Sequence, residues 1–464
     1  MTHLRSLNRV GLIATLLLVA ITPALHAQTI TTFDNTQSAY SILRQQSGDR
    51  LLVTPYPSST VGQRLILDLG KHDATTPGAN AGDLLAVQQS RSLANHDANH
   101  GAAINHRYSV TDLGTLGGTE SFAYGINDSG QVVGFSRIAG DASGHSFLYS
   151  NGRMTDLYPL NSQSILTVGP TGINNSGHIA SGLVVGGVYS PAIFDSRTAQ
   201  LTLLGSLGGV TSYGFSGVAT SINKHRDAVG YSYIDDLNQH AFLYSNGMMT
   251  DIGSFGGSSA ALSINDEGVI AGFASHQFNG SAHAFVYKNG TMTDIDPVGT
   301  ESYARYVNNR GQVVGQFLTA DQSADHAFLY SDGVLTDLGS ASSPETVAFA
   351  INDRAQVVGI TSIPYDTVCF GVPCVQFRQS AFVYEHGKMT DLNTLIPSDS
   401  VWELTWALDI NNHGQIVGYG LVNDKFRAFV LTPLTRKEQC KNGGWRNFGF
   451  KNQGQCIRFV NTDK

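Results

Sequence analysis

The side chains of this chain that could do chemistry recur at fixed intervals. Histidine opens the same short pattern at His145, His240, His283 and His326, and aspartate follows threonine at Asp112, Asp156, Asp251, Asp294, Asp337 and Asp391. Asparagine follows isoleucine or valine at Asn127, Asn174, Asn223, Asn265, Asn308, Asn352 and Asn411. A ring of histidines at one end of a closed fold could hold a metal or an anion, and a ring of carboxylates could supply general acids. Repetition itself argues against both. Equivalent positions in a large ring share one ion only if they face its axis, so each histidine is expected to be hydrogen-bonded to a neighbouring repeat. Each aspartate is expected to accept backbone N–H bonds at a loop opening, and each asparagine to fix a turn. Calcium at some of these turns is the weaker reading, because no loop has the successive oxygen ligands and terminal Glu of a calcium-binding hand.

The elements that carry these residues are short strands. Copies of an Ile/Val-Asn, polar turn, apolar pair, glycine pattern begin at Ile126, Ile173, Ile222, Ile264, Val307, Ile351 and Ile410, spaced 47, 49, 42, 43, 44 and 59 residues apart. A period in the forties belongs to propeller blades or paired helices, and runs of Val, Ile, Phe and Tyr broken by Asn-Gly select strands. Asn151-Gly152, Asn246-Gly247 and Asn289-Gly290 are tight-hairpin signals, since both residues accept positive φ. Strands such as His240-Ala241-Phe242-Leu243-Tyr244 carry apolar groups on both faces, as expected where a sheet is covered on both sides.

Three submotifs each occur seven times, but Val110 to Leu113 precedes the first turn motif while the last unit lacks its fourth strand. That offset predicts an all-β, seven-bladed β-propeller of four-stranded blades over 108–435, with the N-terminal strand closing the last blade. An open solenoid is the alternative. The sixth interval is longer by an insertion from Asp366 to Gln379, a candidate edge of a binding face or a plain decoration.

Enzyme signatures are absent from the linear sequence. Ser221-Ile222-Asn223-Lys224 opens like a serine-lysine hydrolase pattern, yet Ser263-Ile264-Asn265-Asp266 stands at the equivalent place, so the match is a product of the repeat. No HExxH, phosphate-binding loop or dinucleotide fingerprint occurs. No catalytic, cofactor-binding or metal-ligating residue is therefore assigned, and no cofactor is expected.

Residues 1–27 read as a secretory signal: Arg5 and Arg9 precede an apolar run from Val10 to Ile21, with a cut expected before Gln28. A signal anchor is the structural alternative. Residues 28–107 read as a partly ordered lead-in and flexible linker ending in a polar run with His96, His100 and His106. The even cysteine count suits an oxidising compartment, and two local disulfides are expected, Cys369 with Cys374 and Cys440 with Cys456; pairing across the groups is the alternative.

The formal net charge is −8, of which 436–464 contributes +5 and the rest −13. An acidic body argues against a nucleic-acid partner. No segment after the signal is long and apolar enough for an integral membrane helix, and a monomer is expected in the secreted or periplasmic space.

The phrases HAFLYSNGMMTDIGSFGG (240–257), INDSGQVVGFS (126–136) and VTDLGTLGGTESFAYGIND (110–128) resemble the HAF repeats of extracellular bacterial proteins, over roughly 108–431. The segment CKNGGWRNFGFKNQGQC (440–456) resembles a cysteine-bounded module at the ends of other secreted bacterial proteins. The resemblance implies export and a repeat scaffold and names no reaction. Two functions are expected to compete: a binding or surface scaffold for a carbohydrate or protein ligand, which leads, and an extracellular polysaccharide hydrolase or lyase. Equal pockets on every blade would favour binding, and unlike acids, histidines or tyrosines gathered at one mouth of the channel would favour the enzyme.

Overall fold

The computed structural model describes residues 40–45, 50–55, 65–68 and 108–462, apart from 142, 158–164, 278–279, 297–298, 300, 340–342, 344 and 370–371, and without the side chains of 40–68, 165–170, 368–374 and 462. The expected signal (1–27), the histidine-bearing run before 108 and the side chains of Cys369 and Cys374 thus lie outside the described residues. Tyr40–Gln45, Arg50–Pro55 and Leu65–Asp68 pair as a three-stranded antiparallel sheet.

From Tyr108 onward the repeats become seven four-stranded antiparallel sheets, the blades of a propeller. Blade 1 is Gly117–Ile126, Val132–Ile138, Gly144–Ser150 and Arg153–Asp156, hydrogen-bonded in that order. The first strands of blades 2 to 7 are Ile165–Ile173, Gly217–Ile222, Ser259–Ile264, Ser302–Val307, Thr346–Ile351 and Glu403–Ile410. Successive first strands neighbour one another around the whole ring, which places them innermost, along the axis.

Blade 7 is completed from the other end of the array. Tyr108–Asp112 pairs antiparallel with Lys425–Pro433, Val110 facing Leu431 and Thr111 facing Val430. The pairing gives the last blade its fourth strand and joins the ends of the ring.

The core repeats as the sequence does. Phe147, Phe242, Phe285, Phe328, Phe382 and Phe429 of the third strands are fully buried, with Ile193 in their place in blade 2. In blades 1, 4, 5 and 6 the glycine that ends the turn motif, Gly134, Gly272, Gly315 and Gly359, makes room for that ring within its own blade. A Cβ on Gly272 would strike the Ala260 carbonyl and lie 2.8 Å from the Phe285 ring. Blade 3 lacks the turn glycine, and Arg226 takes the left-handed conformation itself (φ 71°), as does Ala355 (φ 59°) in blade 6.

The tail packs on its own cluster of Leu434, Cys440, Phe448, Phe450, Cys456 and Val460, with Trp445 against its edge. The Cys440–Cys456 disulfide ties the first turn of that segment to the helix Gln453–Thr462. The sixth-interval insertion is a two-stranded ribbon: Val357–Cys369 and Val372–Glu385 pair along their full length.

Candidate functional site

The seven asparagines form a closed circuit. Each Nδ2 donates to the main-chain carbonyl of the asparagine in the next blade: Asn127 to Asn174 (2.9 Å), Asn174 to Asn223 (2.8 Å), Asn223 to Asn265 (3.3 Å), Asn265 to Asn308 (2.8 Å), Asn308 to Asn352 (2.9 Å), Asn352 to Asn411 (3.1 Å) and Asn411 to Asn127 (3.0 Å). Meanwhile each Oδ1 accepts N–H bonds from its own turn, as Asn308 does from Arg310 and Gln312. One side chain therefore fixes a turn and ties two blades. The residues that follow extend the pattern: Asp128, Asp266 and Asp353 alternate with Asn175, Asn309 and Asn412, interrupted by Lys224, and carboxylates and amides bond across the blades. This end of the channel is saturated by structural hydrogen bonds.

At the opposite end the repeated histidines meet the repeated aspartates. Nδ1 of His145, His240, His283 and His326 lies 2.8, 2.8, 2.9 and 2.9 Å from a carboxylate oxygen of Asp156, Asp251, Asp294 and Asp337. The partner is on the fourth strand of the same blade, not on a neighbouring repeat as expected. Antiparallel pairing sets the start of the third strand beside the end of the fourth, so a local carboxylate is nearer than anything across the blade interface. The second oxygen of these aspartates accepts a backbone N–H two residues on, from Gly253, Asp296 and Gly339.

The axis itself is lined unequally. Six inner strands carry a β-bulge two residues before the motif's Ile or Val. The bulged residues are Tyr124, Thr220, Leu262, Arg305, Phe349 and Leu408, each partly exposed within a mostly buried strand. A bulge re-aims one side chain, here into the only open space an innermost strand adjoins, the channel.

Behind this lining, blades 5, 6, 7 and 1 make one continuous constellation. Phe349 stacks on Trp406 (5.4 Å, 24°), Trp406 on Tyr419 (5.6 Å, 15°), and Phe122 and Phe426 meet Tyr419 edge-on at 5.0 and 5.6 Å. Arg305 lies over the Phe349 ring (5.1 Å) and donates Nε to Gln316 Oε1 (2.5 Å). Burial lowers the Arg305 pKa, and the guanidinium makes no ion pair among the described residues. Burial likewise pushes Tyr124 up to about 12 and Tyr419 well above its usual value.

The same four blades carry glutamate at or near the start of the inner strand, Glu301, Glu345, Glu403 and Glu120, where blades 3 and 4 have Ser216 and Ser258. Glu301 accepts from the Tyr303 hydroxyl (2.7 Å), and Glu345 accepts from Ser362 (3.2 Å) and Gln379 (3.3 Å). Glu403 pairs with Arg378 (3.4 Å) and Glu120 with Arg137 (3.9 Å). Gln379 and Arg378 belong to the blade 6 ribbon, so the insertion borders this mouth. Burial raises the Glu120 pKa despite the opposing pull of Arg137.

Buried between blades 7 and 1, Asp409 stands where blades 3 and 4 have Ser221 and Ser263. Burial raises its pKa to about 7, although Oδ2 accepts the Ile126 N–H (2.9 Å) and Oδ1 that of Ile410 (2.8 Å). Tyr306 is held well above its ordinary pKa, first by the Asp409 charge and then by burial.

Sequence reasoning located the turns and the Cys440–Cys456 pair but not this constellation. The readable signal was departure from the repeat: arginine, tryptophan or glutamate at places where sister units carry serine, threonine or alanine.

No family model matches the sequence, and no curated protein matches it. Among solved structures the chain is similar to the β-propeller domain of the trilobed protease from Pyrococcus furiosus, with 11% identity over 67% of this chain and 93% of that one, TM-score 0.39. It is also similar to TolB from Acinetobacter baumannii (11% identity, 85% and 79% covered, TM-score 0.33) and to a putative gluconolactonase (8% identity, 70% and 92% covered, TM-score 0.33).

Proposed function

We propose that the protein is an extracellular enzyme acting on polysaccharide, a hydrolase or a lyase, with its site at the mouth bordered by Glu301, Glu345, Glu403 and Glu120. The observation that carries this reading is inequality. Unlike acids, aromatics and one arginine gather on four adjacent blades, whereas equal pockets on every blade would serve a lectin-like scaffold. Cleavage of a glycosidic bond asks for carboxyl groups in different protonation states, and burial holds Glu120 toward the protonated form a proton donor needs. Phe349, Trp406 and Tyr419 stack on one another and stiffen the ring behind this mouth. Export is supported by the apolar N-terminal run and by the resemblance of the repeats to the HAF family.

Binding without turnover is the second reading, favoured by Arg305, whose guanidinium lies over the Phe349 ring, makes no ion pair among the described residues and suits an anionic sugar. Incubation of the secreted chain with a panel of neutral and acidic polysaccharides, reading released oligosaccharides beside retained glycan, separates the two. The enzyme releases product, and Glu120→Gln lowers that release at least a hundredfold while the glycan is still retained. Retention without release assigns the scaffold role, and neither release nor retention sinks both.

A further inference from the structure

We propose that blade 4 carries a binding site for a zinc-class divalent cation, formed by His276 Nε2, His283 Nδ1 and Asp294 Oδ2. These three atoms lie within 4.8 Å of one another, and Asp294 Oδ2 is 2.9 Å from His283 Nδ1 and 3.3 Å from His276 Nε2. Two imidazole nitrogens and one carboxylate oxygen are the donor set of a tetrahedral zinc centre that keeps its fourth position for solvent.

The His283–Asp294 pair alone would not carry this, because blades 1, 3 and 5 have the same pair. What blade 4 adds is the third corner. His276 stands where those blades have Ile138, Ile234 and Thr319, two residues beyond the strand position that faces the histidine. Its ring is oriented by Phe255, which stacks on it at 4.9 Å and 16°, and it meets His283 edge-on at 4.9 Å. The side chain remains 56% exposed, so an ion can enter from solvent.

A second departure falls in the same blade. Asp296 stands where blades 3 and 5 have Gly253 and Gly339; its backbone N–H holds Asp294 Oδ1 (2.9 Å), leaving Oδ2 toward the histidines. Asp296 is 9% exposed as a residue, and its Oδ2 is buried with no hydrogen-bond partner among the described residues. A buried carboxylate oxygen without a partner, within electrostatic reach of His283, is a costly arrangement that a nearby cation relieves. The inference does not depend on the mouth being catalytic, since His283 and Asp294 lie on the blade's third and fourth strands and His276 just past its second, none of them on the inner one.

The test uses the full chain, stripped with a chelator and dialysed, then titrated with zinc chloride by calorimetry alongside thermal unfolding. The comparison variant is His276→Ile, which installs the residue of blades 1 and 3 and leaves the His283–Asp294 pair in place. One zinc per chain, or one more than the variant takes up, with affinity at least tenfold weaker in His276→Ile, is the expected result, together with a zinc-dependent rise in Tm that the variant lacks. His240→Ala, which breaks a pair without a third ligand, should leave zinc uptake unchanged. Uptake of the same stoichiometry and affinity in His276→Ile overturns the proposal, because the ion then sits elsewhere, for example on His96, His100 and His106. No zinc uptake by the folded chain overturns it as well.

Discussion

Asn411 of blade 7 donates its side-chain N–H to the main-chain carbonyl of Asn127 in blade 1 at 3.0 Å, across 284 residues of sequence. That bond closes a circuit begun at Asn127 and carried through every blade. Its Oδ1 simultaneously accepts from His413 and Gln415, so no bonding capacity of the amide is idle. Asn411→Ala should cost about 2–4 kcal/mol, because a buried carbonyl and two turn N–H groups lose a partner at once. Asn411→Asp keeps the turn acceptor and loses the donor, and should fall between. Urea unfolding measures both; an alanine variant within about 0.5 kcal/mol of the parent would contradict a ring-closing role.

Closure by the N-terminal strand is a separate device and can be tested separately. Thr111 pairs with Val430 inside the blade 7 sheet, and Thr111→Pro removes a donor and disturbs that ladder. Lower stability and protease cleavage beginning near 108–112 are expected, whereas the same substitution at exposed Val334 should be milder because its short outer strand has no role in closure.

The pH dependence of stability should carry the mark of Asp409. Its folded pKa is raised from 3.8 to about 7, so the native state binds a proton more tightly than the unfolded chain. Stability from this group is therefore full below about pH 4 and is lost as pH rises through about 7. Asp409→Asn keeps an acceptor for the Ile126 N–H and removes the charge. Its stability relative to the parent should increase from pH 4 to pH 8 by up to about 4 kcal/mol, the equivalent of a three-unit shift. A flat difference across that range would show that Asp409 is ionised without penalty.

Ala355 holds a left-handed turn conformation that glycine occupies in most sister repeats. Ala355→Gly should raise stability by about 0.5–1 kcal/mol, the relieved Cβ strain exceeding the added freedom of the unfolded chain. A lower Tm would mean that the methyl's packing on the Phe382 cluster outweighs the strain.

The tail should melt apart from the ring. Cys440 and Cys456 close a 17-residue segment around its own small core, and Cys456→Ser removes about 3 kcal/mol of restraint from it. Proteolysis confined to 436–464 with an unchanged propeller transition is the expected pattern.

What the sequence determined by itself was everything that a period can encode. Strand type, blade count and the offset that closes the ring all follow from local patterns repeated seven times, because turn glycines, alternation and hairpin signals act between near neighbours. The turn role of the asparagines was legible for the same reason, whereas their second bond, to the next blade, was not: it spans 42 to 284 residues and depends on how one blade is laid against another. The histidines show the same limit on a smaller scale, since their aspartate partners lie 11 residues away and become neighbours only when the third and fourth strands pair. Only the tertiary structure decided which departures from the repeat share a place. Arg305, Phe349, Trp406 and Tyr419 are scattered over 115 residues of chain, and it is the bulges at Arg305 and Phe349 and the laying of blade 6 against blade 7 that bring them into one stack.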